Sequence, residues 1–156
     1  MHAMVDWLHE PARRLHDMIR DLPGFTPMRH VSISLYDSEY DMLWAFSCMS
    51  ATRPEITEIE MTDAPSLVLL ADSHEPRVID DLSEFGDSSR HHTVGARNAG
   101  SRSCMTVPIS MDGCFLGFVN FGAALPGFFT AATQEMLMTF AEAFGILMER
   151  AHGLSE

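Results

Sequence analysis

Between Arg102 and Gly122 the chain reads RSCMTVPISMDGCFLGFVNFG, and no other stretch is as explicit about its local structure. Asp112-Gly113 interrupts two runs in which apolar residues alternate with smaller ones. That dipeptide suits a two-residue hairpin turn, whose central residues both need positive φ. With Met111 set opposite Cys114, Met105, Val107, Ile109, Leu116 and Phe118 share one face. Cys104, Thr106, Pro108, Phe115, Gly117, Val119 and Phe121 share the other. On this register Cys104 and Cys114 fall on opposite faces, far apart along the hairpin, and do not form a disulfide.

Downstream, Thr130 is a good N-cap for a helix over 131–152. Met136, Leu137, Phe140, Ala141, Phe144, Leu147 and Met148 form a wide apolar stripe at helical spacing. Arg150 and His152 suit the negative end of its dipole.

Upstream, HVSISLYD sets Val31, Ile33 and Leu35 against Ser32, Ser34 and Tyr36, a half-buried strand. MLWAFSCM alternates again, with Trp44, Phe46 and Cys48 on one side. EITEIEM is a shorter, more acidic strand suited to a sheet edge. Asp63 can cap a helix over APSLVLLADS, with Pro65 at an early helical position. PRVIDDL reads as a short strand. At the beginning of the chain, 5–22 reads as a helix. Met4, Leu8, Pro11, Leu15, Met18 and Leu22 recur at heptad spacing, and Pro11 places its true start near Glu10 or kinks it.

One segment breaks the overall charge pattern. The chain has 156 residues and a net charge of −12, with 22 acidic residues against ten basic ones, all of them arginine. Yet Ser88–Met111 has no acidic residue and gathers Arg90, His91, His92, Arg97 and Arg102. Guanidinium forks there can hold a carboxylate or phosphate. The competing reading pairs them with Asp80, Asp81, Glu84 and Asp87 just upstream, as ordinary surface ion pairs. Gly95 and Gly100 have P-loop spacing, but Ser101-Arg102 replaces Lys-Ser/Thr and a strand follows instead of a helix.

The length fits one domain, 1–156. The acidic balance argues against nucleic-acid or membrane-surface binding, since both partners are polyanions. Three cysteines, an odd and sparse set, suit a reducing compartment. The opening residues lack the apolar core of a secretory signal, and no run approaches the roughly 20 residues that span a bilayer. Together these predict a cytoplasmic protein.

The order of elements, with SCMTVPI, Asp112-Gly113, FLGFVNFG, the closing helix and RVIDDL before a variable segment, resembles the GAF domain across essentially the whole chain. The resemblance implies an α+β fold of the PAS/profilin-like kind. Its antiparallel five- to six-stranded sheet spans 29–126, carries a variable loop over 83–102, and has the terminal helices on one face with short helices and loops on the other. It also implies a non-catalytic sensor of a signal-transduction or transcription-regulatory system. Such a domain binds a small ligand, which can be anionic, between the sheet and the 88–102 loop. It dimerises through its terminal helices and addresses a downstream signalling partner.

The ligand's identity does not follow from the fold. Trp44, Phe46 and Phe121 are the expected apolar lining, Cys104 and Thr106 its polar part, and Arg90, His91, His92, Arg97 and Arg102 the loop contribution. No catalytic residue and no metal ligand set is expected. His91 and His92 are adjacent, so their side chains do not converge, and no cysteine stands at ligand spacing. Some relatives reduce free methionine sulfoxide with loop thiols, but 67–103 holds no cysteine. The attachment cysteine of bilin carriers and the complete cyclic-nucleotide signature are also missing, and no cofactor is assigned. The alternatives are a thiol-based redox enzyme such as a free methionine sulfoxide reductase, or a ligand-free dimerisation module.

Overall fold

The computed structural model describes residues 2–49, 51–83 and 100–154. Six strands form one antiparallel sheet: β1 (Met28–Asp37), β2 (Met42–Ser47), β3 (Thr57–Glu60), β4 (Arg77–Ile79), β5 (Ser103–Met111) and β6 (Cys114–Ala123). Their spatial order is β3-β2-β1-β6-β5-β4. The acidic strand β3 lies at an edge, as its composition predicts.

Three α-helices accompany the sheet among the described residues: α1 (His2–Arg20), α2 (Pro65–Ser73) and α3 (Ala131–Gly153). Alternation along the strands sorts the side chains. Val31, Ile33, Leu35, Phe46, Met105, Val107, Val119 and Phe121 face α1 and α3 in one large core. Leu43 and Phe118 face the other way, under a 3₁₀ turn (Met61–Asp63) and α2, with Met61, Leu67 and Leu70.

The closing helix follows its sequence reading. The Thr130 hydroxyl accepts from the Thr133 amide at 3.3 Å. Leu137, Ala141, Phe144, Met148 and Ala151 are buried at helical spacing. Gly145 brings the helix close to β5, where a Cβ would press on Ile109 and Met111.

Three expectations are corrected. First, α1 begins at His2 and ends at Arg20, rather than covering 5–22 or starting near Glu10. Pro11 sits inside it, and the carbonyl it leaves without a helical partner belongs to Trp7, which is half exposed. The buried stripe is also rotated from the heptad reading. Val5, Ala12, His16 and Ile19 join Met4 and Leu8, while Met18 is 57% exposed. Second, α2 is capped by Ala64 with no side-chain bond, because Asp63 is taken up in the preceding 3₁₀ turn.

Third, the hairpin register holds only beside the turn. Met111 pairs with Cys114 and Ser110 with Phe115, but Ile109 pairs with Gly117, so Leu116 is an extra, bulged residue. The bulge needs glycine next to it. Gly117 has φ 137°, and a Cβ there would overlap the Ser34 carbonyl oxygen on the neighbouring strand. Every β6 side chain beyond it changes face relative to the simple hairpin. Val119 and Phe121 join Met105 and Val107 against the helices, and Phe118 crosses to α2.

Candidate functional site

The sheet face turned away from α1 and α3 carries an uninterrupted row of polar side chains. Ser47 pairs with Ser32, Ser32 with Asn120, Asn120 with Thr106, and Thr106 with Arg77. The row crosses five strands in strict register and spans roughly 19 Å at the usual strand spacing. Thr106 is 1% exposed and donates to Asn120 Oδ1 at 2.7 Å. Ser47 Oγ accepts from the Met49 amide at 3.2 Å.

Apolar ground flanks the row on both sides. Toward the 3₁₀ turn and α2 lie Leu43, Phe118, Leu67 and Leu70. Toward the opposite ends of the strands lie Ile79, Leu82 and Cys104. Beside them His30 and Ser101 fill the notch left by Gly122, where a Cβ would run into the serine hydroxyl. Burial, with a smaller contribution from the charge of His16, holds His30 down at about 4, so its ring is neutral at physiological pH. Burial also pushes the Cys104 thiol up to about 11, against the opposing pull of the Arg77 guanidinium. Arg77 also lines a cleft of about 370 Å³ between α2 and β4, with Ser66, Leu69, Leu70, Ser73, Glu75 and Pro76.

The expected site residues fall into four groups. Cys104 and Thr106 belong to this face. Trp44, Phe46 and Phe121 do not: they lie on the helix side. Trp44 stacks edge-on to His2, Phe121 packs against Phe144 of α3, and Phe46 is in the same core. For Phe121 the cause is the bulge at Leu116; for Trp44 and Phe46 it is the parity of β2, which sends Leu43, Ala45 and Ser47 to the polar face. Arg102 grips Asp81 with both carboxylate oxygens in reach, at 3.0 and 3.2 Å, which is the surface-pair reading. Arg90, His91, His92 and Arg97 lie outside the described residues.

Asn120, Arg77, Ser32 and Ser47 were missed. Their signal was present as the polar half of each alternating strand, but joining those halves into one row requires the register across the bulge.

The thiols do not assemble. Cys48 is buried on the helix side, Cys104 on the opposite face, and Cys114 is exposed beside the hairpin turn. Burial raises the Cys48 thiol far above its ordinary range.

The sequence profile of the GAF domain matches residues 10–148. The chain belongs to the GAF domain family. Solved structures share the arrangement at low identity, and therefore inform on fold alone. The chain is similar to the GAF domain of a two-component sensor histidine kinase from Bacillus halodurans (TM-score 0.69, 12% identity, 92% of this chain and 94% of that one). It is similar to residues 122 to 287 of a methyl-accepting chemotaxis protein (TM-score 0.68, 16% identity, 94% and 92%). It is also similar to a type II free methionine-R-sulfoxide reductase from Thermoplasma acidophilum (TM-score 0.62, 14% identity, 92% and 95%). No curated protein matches the chain. Among the described residues of this GAF domain, no helix is long and apolar enough to cross a membrane.

Proposed function

We propose that this GAF domain is a non-catalytic cytoplasmic sensor. It binds a small ligand on the polar row, between the sheet and the 88–102 segment, and signals through its terminal helices to a second copy and a downstream partner. The observation that carries this reading is the row itself: hydrogen-bonding side chains aligned across five strands between two apolar clusters, the composition of small-molecule sites. Arg90, His91, His92 and Arg97 would add cationic contacts from the segment joining Ser83 to Gly100. Kinship with sensor-kinase and chemotaxis domains supports the regulatory role. The dispersal of the three thiols argues against a dithiol reductase.

The opposite side of the molecule suits the output. Trp7 and Met18 of α1, with Met136 and Ile146 of α3, are exposed apolar residues on the two terminal helices. Ligand binding transmits a signal only if it favours one arrangement of those helices over another. Native mass spectrometry and light scattering of the purified protein test the reading. A dimer is expected, with a ligand mass that disappears on unfolding. A dimer carrying no ligand mass, and without thermal shift across a metabolite panel, would instead mark a ligand-free dimerisation module.

A further inference from the structure

The two terminal helices treat their acidic side chains differently. Every carboxylate within α1 is engaged: Asp6 by Arg53, and Glu10 and Asp17 by Arg13. The three within α3, Glu135, Glu142 and Glu149, are exposed and make no ion pair or hydrogen bond among the described residues. They recur every seven residues, so they form one ridge along the helix, with successive members roughly 10 Å apart. Beside that ridge runs an apolar groove of about 160 Å³ between α3 and β5. Val107, Ile109 and Met111 form its strand wall, Met138, Ala141 and Gly145 its helix wall, and Glu142 stands on its rim.

Two occupants fit poorly. β4 pairs only with Cys104–Thr106, so among the described residues β5 has no strand partner on that side beyond Thr106. A strand added to this edge would find no N–H at Pro108, and proline is a residue that guards such edges. A second copy would bring another net charge of −12 to an acidic ridge, and Arg13 and Arg14 of its α1 are already engaged by Glu10 and Asp17. A helix carrying cations every two turns satisfies both the groove and the ridge.

We propose that the groove between α3 and β5 docks a basic amphipathic helix of the downstream signalling partner. Its apolar stripe would enter against Ile109, Met111 and Met138, with cations at seven-residue spacing meeting Glu135, Glu142 and Glu149. The inference rests on the sensor reading for the existence of that partner and adds its place, its charge and its mode of docking. Each exposed ion pair contributes little alone, so the ridge sets register and encounter rate while the apolar anchors set residence.

Calorimetry of the full chain with a designed helical peptide of three heptads, leucine along one stripe and one arginine per heptad, tests this. A twin peptide with glutamate for each arginine should bind at least tenfold more weakly. Glu135→Gln, Glu142→Gln and Glu149→Gln together should weaken the basic peptide about tenfold. Met138→Gln should weaken it by a similar factor, and because the glutamine triple lies on the exposed side of α3, the test survives poor folding of that variant. The same charge removed from the exposed Glu39, Glu58 and Glu60 should change binding less than twofold. Amide shifts on titration should centre on Ile109, Met111 and Gly145. Equal losses in the two glutamine triples, shifts centred elsewhere, or equal binding of the twin peptides would reduce the effect to net charge and overturn the proposal. Failure of the basic peptide to bind the folded protein overturns it too, as does a dimer that dissociates in Met138→Gln, which would assign the groove to a second copy. A ligand-bearing dimer that ignores the peptide leaves the sensor reading standing. Peptide binding to a chain with neither ligand mass nor thermal shift leaves the docking site standing without the sensor.

Discussion

Asp81 receives the Arg102 guanidinium on both carboxylate oxygens, and the same two stretches of chain are stitched by backbone hydrogen bonds. The Leu82 amide donates to the Arg102 carbonyl and the Arg102 amide to the Ala123 carbonyl, each at 2.6 Å. The sequence from Ser83 to Gly100 therefore leaves and returns at one fastened base beside β6. The Arg102 hydrogen bonds, then those from Ser83, hold the Asp81 carboxyl down at about 2. A depressed carboxylate contributes above its ordinary value near 3.8, and that contribution fades as pH falls toward 2. A carbon-detected titration should find the Asp81 midpoint near 2, moving back toward the ordinary range in Arg102→Ala. The pair is solvent-exposed, so the global midpoint of unfolding should barely change, while amide exchange at Leu82 and Arg102 should accelerate.

Among the described glycines, Gly117 is the one least able to accept a side chain. Gly117→Ala requires a positive-φ alanine and drives a Cβ into the Ser34 carbonyl. Urea denaturation should show a loss on the order of 3 kcal/mol. Gly113→Ala makes a useful contrast. It shares the positive φ, but open space surrounds its Cβ, so its loss should be clearly smaller.

His30 predicts a particular acid response. Its folded value, about 4, lies below the ordinary 6.5, so between these limits the unfolded chain binds the extra proton. Stability should therefore fall as pH drops from 6.5 toward 4, with no further loss from this group below that. The His30 ring protons should titrate near 4 by NMR, and His30→Gln should flatten the stability slope across the same window.

The thiols should separate by reactivity. At mildly alkaline pH a disulfide reagent should modify Cys114 first, because it is the exposed one. Cys104 and Cys48 should react only on unfolding, since burial raises both thiols. Fast modification of two thiols in the native protein would contradict the packing of Cys104 against Ile79 and Leu82.

How far the sequence carries the fold can be read off β6. The turn was explicit in Asp112-Gly113, and both residues do adopt positive φ, 52° and 77°. The Thr130 cap, the edge character of β3 and the polar parity of Ser32 and Ser34 were equally local signals, and the structure keeps them. What failed was a single count. A glycine inside a strand pattern marks a bulge, and Gly117 was that mark. Passing over it moved Phe121 onto the wrong face and hid the alignment of Asn120 with Ser32 and Thr106. The rotation of α1 lay beyond local reading, because its buried stripe is set by packing on α3 within the shared core and so includes His16, which no hydrophobic count selects.

Because β6 alternates, the chain itself joins the two sides of the molecule. Asn120 looks to one side, while its covalent neighbours Val119 and Phe121 look to the other, where Phe121 lies edge-to-face on Phe144 at 6.3 Å between ring centres. Farther along, the Leu116 carbonyl meets the His152 ring nitrogen at 3.3 Å. A tilt of this one ribbon would displace the middle and the last turn of the closing helix together, with no relay of intervening side chains.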